Sequence, residues 1–342
     1  QEDFRIKTHA EGPKGKIPFT EDILLNEPSG NHFGLTQNAG MGWNPSELLR
    51  KQFLILSTSG GLKDKDGKPV ALGFHTGHWE LSSLVEKTAN VINSLGGLPF
   101  SAYCSDPCDG RSMGTPGMFD SLPYRNDAAK VFRRIARSLP TAKGIVGIAS
   151  CDKGLPAMMM ALAGMKKVPS IIVPGGSTLA PFNGEDAGKI QSIGARFSQG
   201  EISLEYAQDM GCKACASPGG GCQFLGTAGT SQVIAESLGF SLTHSACTPS
   251  GTPAWYFNAE RSAKALLNLE KNNITIDKIL TDKAFENAMI VHAACGGSTN
   301  LLLHLPAIAH SIGRKRMGVE DWARINSFVP VKVSPFPTVP SR

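Results

Sequence analysis

The sequence lacks any apolar run near the ~20 residues that a membrane-spanning helix needs, which excludes a helical transmembrane segment. Charge is sparse and nearly balanced. Only 18% of residues are charged, with 34 Lys and Arg against 29 Asp and Glu, for a net of +5. The basic residues are scattered rather than clustered with the few aromatics (7%), so nucleic acid is not an expected partner, and neither is a membrane. The opening stretch, QEDFRIKTHAEGPKGK, is polar throughout. No signal peptide is expected there, and the expected compartment is the cytoplasm. Repeats and low-complexity segments are also missing. What is there is a 41% apolar chain of 342 residues, enough to bury the core of one large α/β domain or two modest ones.

The eight cysteines are too few, and too locally grouped, for a small disulfide scaffold. Cys104 and Cys108, Cys151, Cys212 and Cys215, and Cys222 suit free thiols or metal ligands in a reducing compartment. Cys247 and Cys295 stand apart, and buried structural thiols are the simpler reading for both.

Short apolar runs with strand character recur at Phe53–Leu56, Leu98–Tyr103, Ile145–Ala149, Ser170–Val173 and, weakly, Lys213–Ala216. Helical patterns fall between or after them, at Ser82–Leu95, Asn126–Leu139, Leu155–Met165 and Glu201–Met210, the last closed by Gly211. A longer helical stretch, Ala284–Ala309, is interrupted by GGSTN. Strand alternating with helix at this spacing predicts an α/β fold with a doubly wound, mostly parallel sheet. In such sheets ligands bind beyond the carboxyl ends of the strands. The run at 98–103 empties into CSDPCDGRSMGTPGM, the run at 145–149 into SCDKG, and the stretch 213–216 into SPGGGCQ. Three strand ends carrying Cys beside Asp, Lys or Gly are expected to meet in one crevice.

Two chemistries compete for these residues. Cys212 and Cys215 have zinc-knuckle spacing, and Cys104 with Cys108 could complete a four-thiolate set. Zinc leaves the neighbouring acids and lysine unexplained. Thiolates from separate loops suit an iron–sulfur cluster instead, while Asp109 and Asp152 are hard oxygen ligands fit for Mg²⁺. Lys153 fits neither metal as a cation, but carbamylation would turn it into an oxygen ligand. Asp106 reads as a turn residue before Pro107. His75 and His78, three apart before a helix, read more simply as packing or capping than as ligands. Gly220 and Gly221, and Ser298 and Thr299, lie in glycine-rich turns able to hold an anionic substrate through backbone N–H groups or hydroxyls.

The segments DGRSMGTPGM (109–118), CDKGLPAMMMA (151–161), GGGCQFLGTAGT (219–230), AFENAMIVHAACGGSTNLLLHLPAIA (284–309) and ARINSFVP (323–330) resemble, in order, those of the dihydroxy-acid and 6-phosphogluconate dehydratase family. NAGMGWNP, GFHTGHWE and YCSDPCDGRS resemble the branch that dehydrates D-xylonate and related aldonates. The resemblance implies a hydro-lyase that turns a 2,3-dihydroxy sugar acid into a 2-keto-3-deoxy acid, with a [2Fe–2S] cluster and Mg²⁺ as cofactors. It further implies Cys151 and Cys222 as cluster ligands, Asp109 and Asp152 on Mg²⁺, and Lys153 as a carbamylation candidate.

The chain departs from the family pattern at the first cluster cysteine, where His75 stands in its place, so His75 or Cys108 is left to complete the cluster. The family's C-terminal β-rich domain, which supplies the base, is absent from this chain. The expected organisation is an N-terminal extension over 1–35, a cluster- and metal-binding domain over 36–330, and a linker or cut end over 331–342. A small-molecule sugar acid and a homodimer or homotetramer are the expected partners. The alternatives are a dihydroxy-acid dehydratase of branched-chain amino-acid synthesis, or a non-catalytic N-terminal module.

Overall fold

The computed structural model describes residues 5–215, 222 and 226–333. Four parallel strands form the central sheet: β1 (Gln52–Ser57), β4 (Leu98–Tyr103), β5 (Ala142–Ala149) and β6 (Ser170–Pro174), in the order β4-β1-β5-β6. A small antiparallel pair, β2 (Leu62–Lys63) and β3 (Pro69–Ala71), projects after β1. The four runs expected as central strands are all strands. The register sets their ends level, with Ser57 beside Tyr103 and Ile148, and Ala149 beside Pro174.

Both faces of the sheet are buried, and alternation along each strand decides which residue serves which face. Leu54, Leu56, Ile145, Ala149 and Ile172 point to one side, and Phe53, Ile55, Val146, Ile148, Ile171 and Val173 to the other. Helices Thr76–Ser94 and Pro253–Lys271 cover the second face through Leu81, Leu84, Ile92, Trp255 and Leu266. Helices Ser121–Arg137 and Gly154–Gly164 cover the first. Gly147 lets the latter sit close to β5, since a Cβ there would lie 2.6 Å from Met158 Cγ.

Helix Gly154–Gly164 is apolar all round because it has neighbours all round. Behind it pack Thr227–Ser237, Asp282–Ala294, Leu301–Ile312 and Val319–Phe328, which extend the same core through Ile234, Met289, Leu305 and Ile325. The N-terminal helix Ser29–Gly40 places Leu35 and Ala39 in a small separate cluster with Leu48.

One strand expectation is corrected. Lys213 ends the helix Leu204–Lys213, with Ala214 and Cys215 in a turn, and Ala216 lies outside the described residues. Gly211 therefore sits inside that helix rather than closing it. Ser203 caps it by accepting the Tyr206 N–H, and its amphipathic spacing overrides the weak apolar signal at its end.

The chain leaves β1 over one face to reach β4 on one side, then crosses by the other face to β5 on the opposite side. The strand order thus reverses between β1 and β5, which opens a crevice beyond Ser57 and Ala149. The core beneath that crevice depends on helix Ser121–Arg137, whose Ala128, Phe132 and Ala136 form one fully covered stripe. Phe132→Ala should lower unfolding free energy by about 3–5 kcal/mol, read as a fall in urea midpoint at unchanged slope.

Candidate metal and substrate site

The loops after β1, β4 and β5 fill the crevice. Cys151, the second residue after β5, adopts φ +70°. A non-glycine residue held there carries strain of about 1–3 kcal/mol, and the turn aims a buried thiol while Lys153 enters the next helix. Burial raises the Cys151 pKa well above its ordinary value, and Asp106, Cys222, Asp152 and Cys108 add to the rise.

A cavity at this point has His75, Cys108, Cys151, Asp152, Cys215 and Cys222 in its wall. The structure thus brings together both expected cluster cysteines and both candidates for the third position. Among the described residues, the one set of three ligand atoms within 4.8 Å of one another is His78, Asp106 and Cys151. The cavity thiols are therefore not gathered on a point. Among the described residues Cys104, Cys108, Cys212 and Cys215 form no compact set, and Cys212 is exposed.

The hard-ligand residues are also adjacent. Lys153 Nζ donates to Asp109 Oδ2 at 2.7 Å, with both side chains buried. Asp109 Oδ1 is buried without a hydrogen-bond partner, an acceptor that a cation or a donor would satisfy. Burial, then the Asp109 charge, raises the Asp152 pKa to about 6, and Lys153 and the Ala228 N–H oppose the shift. That N–H belongs to the first turn of helix Thr227–Ser237. A thiol-lined space beside the buried Asp109 and the half-buried Asp152 fits a soft cluster and a hard cation side by side.

The Ser298 hydroxyl pairs with Thr227 Oγ1 at 2.9 Å, and its N–H donates to Thr230 Oγ1. Thr299 is exposed. Gly220 and Gly221 lie outside the described residues.

Sequence reasoning missed two buried pairs. His78 Nε2 and Asp106 Oδ1 are in close contact, and both side chains are wholly buried. Burial raises the Asp106 pKa and the His78 ring opposes it, so Asp106 is a partnered carboxylate and not a solvated turn residue. Its side chain also excludes any residue but glycine at 154, where a Cβ would meet Asp106 Oδ2 at 2.1 Å. The second pair joins Arg125 Nη1 to His304 Nδ1 at 2.8 Å. Burial, then Arg125 and Lys153, lowers the His304 pKa to about 3. Residues 179 apart in sequence give no local signal of such a pair. Cys215 joins the cavity wall with these thiols rather than pairing with Cys212, whose side chain is exposed.

Such an arrangement defines an open α/β domain with a cavity walled by thiol and carboxylate at its switch point. Residues 70–340 match the family described as dihydroxy-acid/6-phosphogluconate dehydratase, N-terminal, and the chain belongs to that family. It is 60% identical to D-xylonate dehydratase YjhG of Escherichia coli K12, and 59% identical to D-xylonate dehydratase YagF of the same organism. Each match covers 98% of this chain and 52% of the relative. A dihydroxy-acid dehydratase of Methanosphaera stadtmanae is 34% identical over 79% of this chain and 50% of its own. The chain spans about half the length of these curated relatives. Among the described residues, no helix is long and apolar enough to cross a membrane.

The neutral His304 makes the fold acid-sensitive. Its folded pKa lies below the unfolded value of 6.5, so its contribution is complete above that pH and is lost as pH falls toward about 3. One such group gives a slope of up to about 1.4 kcal/mol per pH unit. His304→Gln should flatten the decline in urea-unfolding free energy between pH 6.5 and 4.5, while His75, lowered to about 4 mainly by burial, retains its own share.

Proposed function

We propose that this chain is the cofactor-binding part of a hydro-lyase that dehydrates a sugar acid, with D-xylonate or a related aldonate as substrate. The observation that carries the reading is the thiol-lined cavity adjoining Asp152 and the buried Asp109–Lys153 pair, in a chain about 60% identical to two D-xylonate dehydratases. In this reading Cys151 and Cys222 hold an iron–sulfur cluster, with His75 or Cys108 as the third ligand, and Asp109, Asp152 and carbamylated Lys153 hold Mg²⁺. When bound, the two cofactors supply Lewis-acid chemistry, at the departing 3-hydroxyl and at the carboxylate and 2-hydroxyl respectively.

The protein's own groups set the conditions for that chemistry. Burial keeps the Cys151 thiol protonated until a cation compensates its charge, so cofactor loading releases protons there. The left-handed turn at Cys151 sends side chains two residues apart to different partners: the thiol to the cavity with Cys222, the lysine to Asp109. Carbamylation joins the Lys153 nitrogen to carbon dioxide, the ammonium first losing one proton to expose its lone pair and the new carbamate losing a second. The product offers Mg²⁺ a third anionic group in place of an ammonium. Thr178 and Gln191 line the same cavity and give a polyhydroxylated acid polar wall contacts.

Anaerobic assay of the full-length protein with D-xylonate, after loading with iron, sulfide and Mg²⁺, should yield a 2-keto-3-deoxy product. Absence of turnover with every aldonate and every branched dihydroxy acid tried would refute the reading. Turnover confined to branched dihydroxy acids would transfer the assignment to that substrate class.

Lys153→Arg retains the charge but cannot form a carbamate. It should abolish measurable Mg²⁺ binding in calorimetry while leaving the visible spectrum of the cluster unchanged. Wild-type Mg²⁺ affinity in this variant would remove Lys153 from the metal site.

A further inference from the structure

The choice between His75 and Cys108 turns on where protons lie. His75 is the N-cap of helix Thr76–Ser94, and its Nδ1 accepts the Gly77 N–H at 2.7 Å. A backbone N–H can only donate, so Nδ1 carries no proton and its lone pair is engaged. The neutral ring must then hold its proton on Nε2, which leaves that nitrogen no lone pair for a metal. An imidazole bound to a metal has the opposite arrangement: one nitrogen binds, and the other carries the proton and donates it to a nearby acceptor. His75 could ligate iron only as an imidazolate or by giving up the cap.

Cys108 has no such conflict. It lines the same cavity, on a segment tied to the His75 segment by Arg111 Nε donating to the Phe74 carbonyl at 2.9 Å. Cys108 is half-buried in that wall and Cys222 is buried beside Cys151, whereas Cys215 on the same wall is exposed.

We infer that Cys108, and not His75, completes the thiolate set with Cys151 and Cys222, and that His75 remains a helix cap offering an Nε2–H donor to the cavity. The thiol missing at position 75 is thus replaced from the loop after β4. The inference rests on the reading that this cavity holds an iron–sulfur cluster.

The test is anaerobic reconstitution of the full-length protein with ferrous iron and sulfide, followed by iron and sulfide analysis and pulsed EPR of the reduced cluster. The wild type should show no strongly coupled, directly bound nitrogen, a result that needs no variant to fold. His75→Asn keeps a capping acceptor and should retain the wild-type iron and sulfide content, as should Cys215→Ala. Cys108→Ala should lose most of its iron. A strong nitrogen coupling that vanishes in His75→Asn would overturn the inference, as would full iron content in Cys108→Ala. Iron loss in Cys215→Ala with retention in Cys108→Ala would overturn it in favour of Cys215. A wild type that takes up no cluster, with Cys151 and Cys222 intact, would remove the cavity reading and this inference together.

Discussion

Asp106 is a carboxylate with no exposure at all, and a group of that kind has to be matched by its surroundings. The His78 ring meets it from the start of helix Thr76–Ser94, and Gly154 meets it from the start of the helix after β5. Three segments that are far apart in sequence are thereby fixed against one another at the ends of β1, β4 and β5. The approach is so close that no side chain fits at 154. With Gly154 held there, the residues before it have little freedom, and Cys151 takes up its left-handed backbone to complete the turn. The Cys151 thiol, the Asp152 carboxylate and the Lys153 amine are distributed by that turn. The site is thus built outward from one desolvated histidine–carboxyl contact rather than laid on a finished scaffold.

The same desolvation governs the chemistry. Cys151 and Cys108 have thiols whose pKa values burial raises, and Asp152 is a carboxyl raised to about 6. Each of these groups is disfavoured as an anion by its neighbours, which are themselves acids. Lys153 supplies opposite charge at short range, and it is committed to Asp109. A cluster of buried acids with so little compensation is costly as a purely structural device. It becomes reasonable when cations complete it, and the mixture of sulfur and oxygen donors matches cations of two kinds.

Much of this was legible in the chain. Apolar runs bounded by glycine, proline and cysteine marked all four central strands, because a strand buried on both faces must be apolar throughout. The polar residues directly after two of those runs marked the site, because the parallel topology brings strand ends together. What escaped notice had a different physical origin. His78 and Asp106 looked like a capping histidine and a turn aspartate because their partnership is 28 positions long in sequence and leaves no periodic trace. Arg125 and His304 lie on helices from different parts of the chain and meet only when the second helical layer docks. The weak strand signal at 213–216 falls where a capped amphipathic helix ends.

The turn GGSTN shows why glycine alone does not define an anion cradle. A Cβ at Gly297 would lie 2.6 Å from the His292 ring, so glycine is required there by packing. His292 Nε2 is 2.9 Å from the Ser298 carbonyl oxygen, and Asn300 Nδ2 donates to Thr227 Oγ1. With the Ser298 contacts to Thr227 and Thr230, these bonds fasten the turn to the first helical turn of Thr227–Ser237. That helix in turn brings the Ala228 N–H to Asp152. The second helical layer therefore reaches the site through a short chain of hydrogen bonds: from His292 to the Ser298 carbonyl, from Ser298 to the helix start, and from the helix start to the carboxylate. An α/β sheet alone would place the cysteines and acids. The outer helices fix how the last of those acids is held.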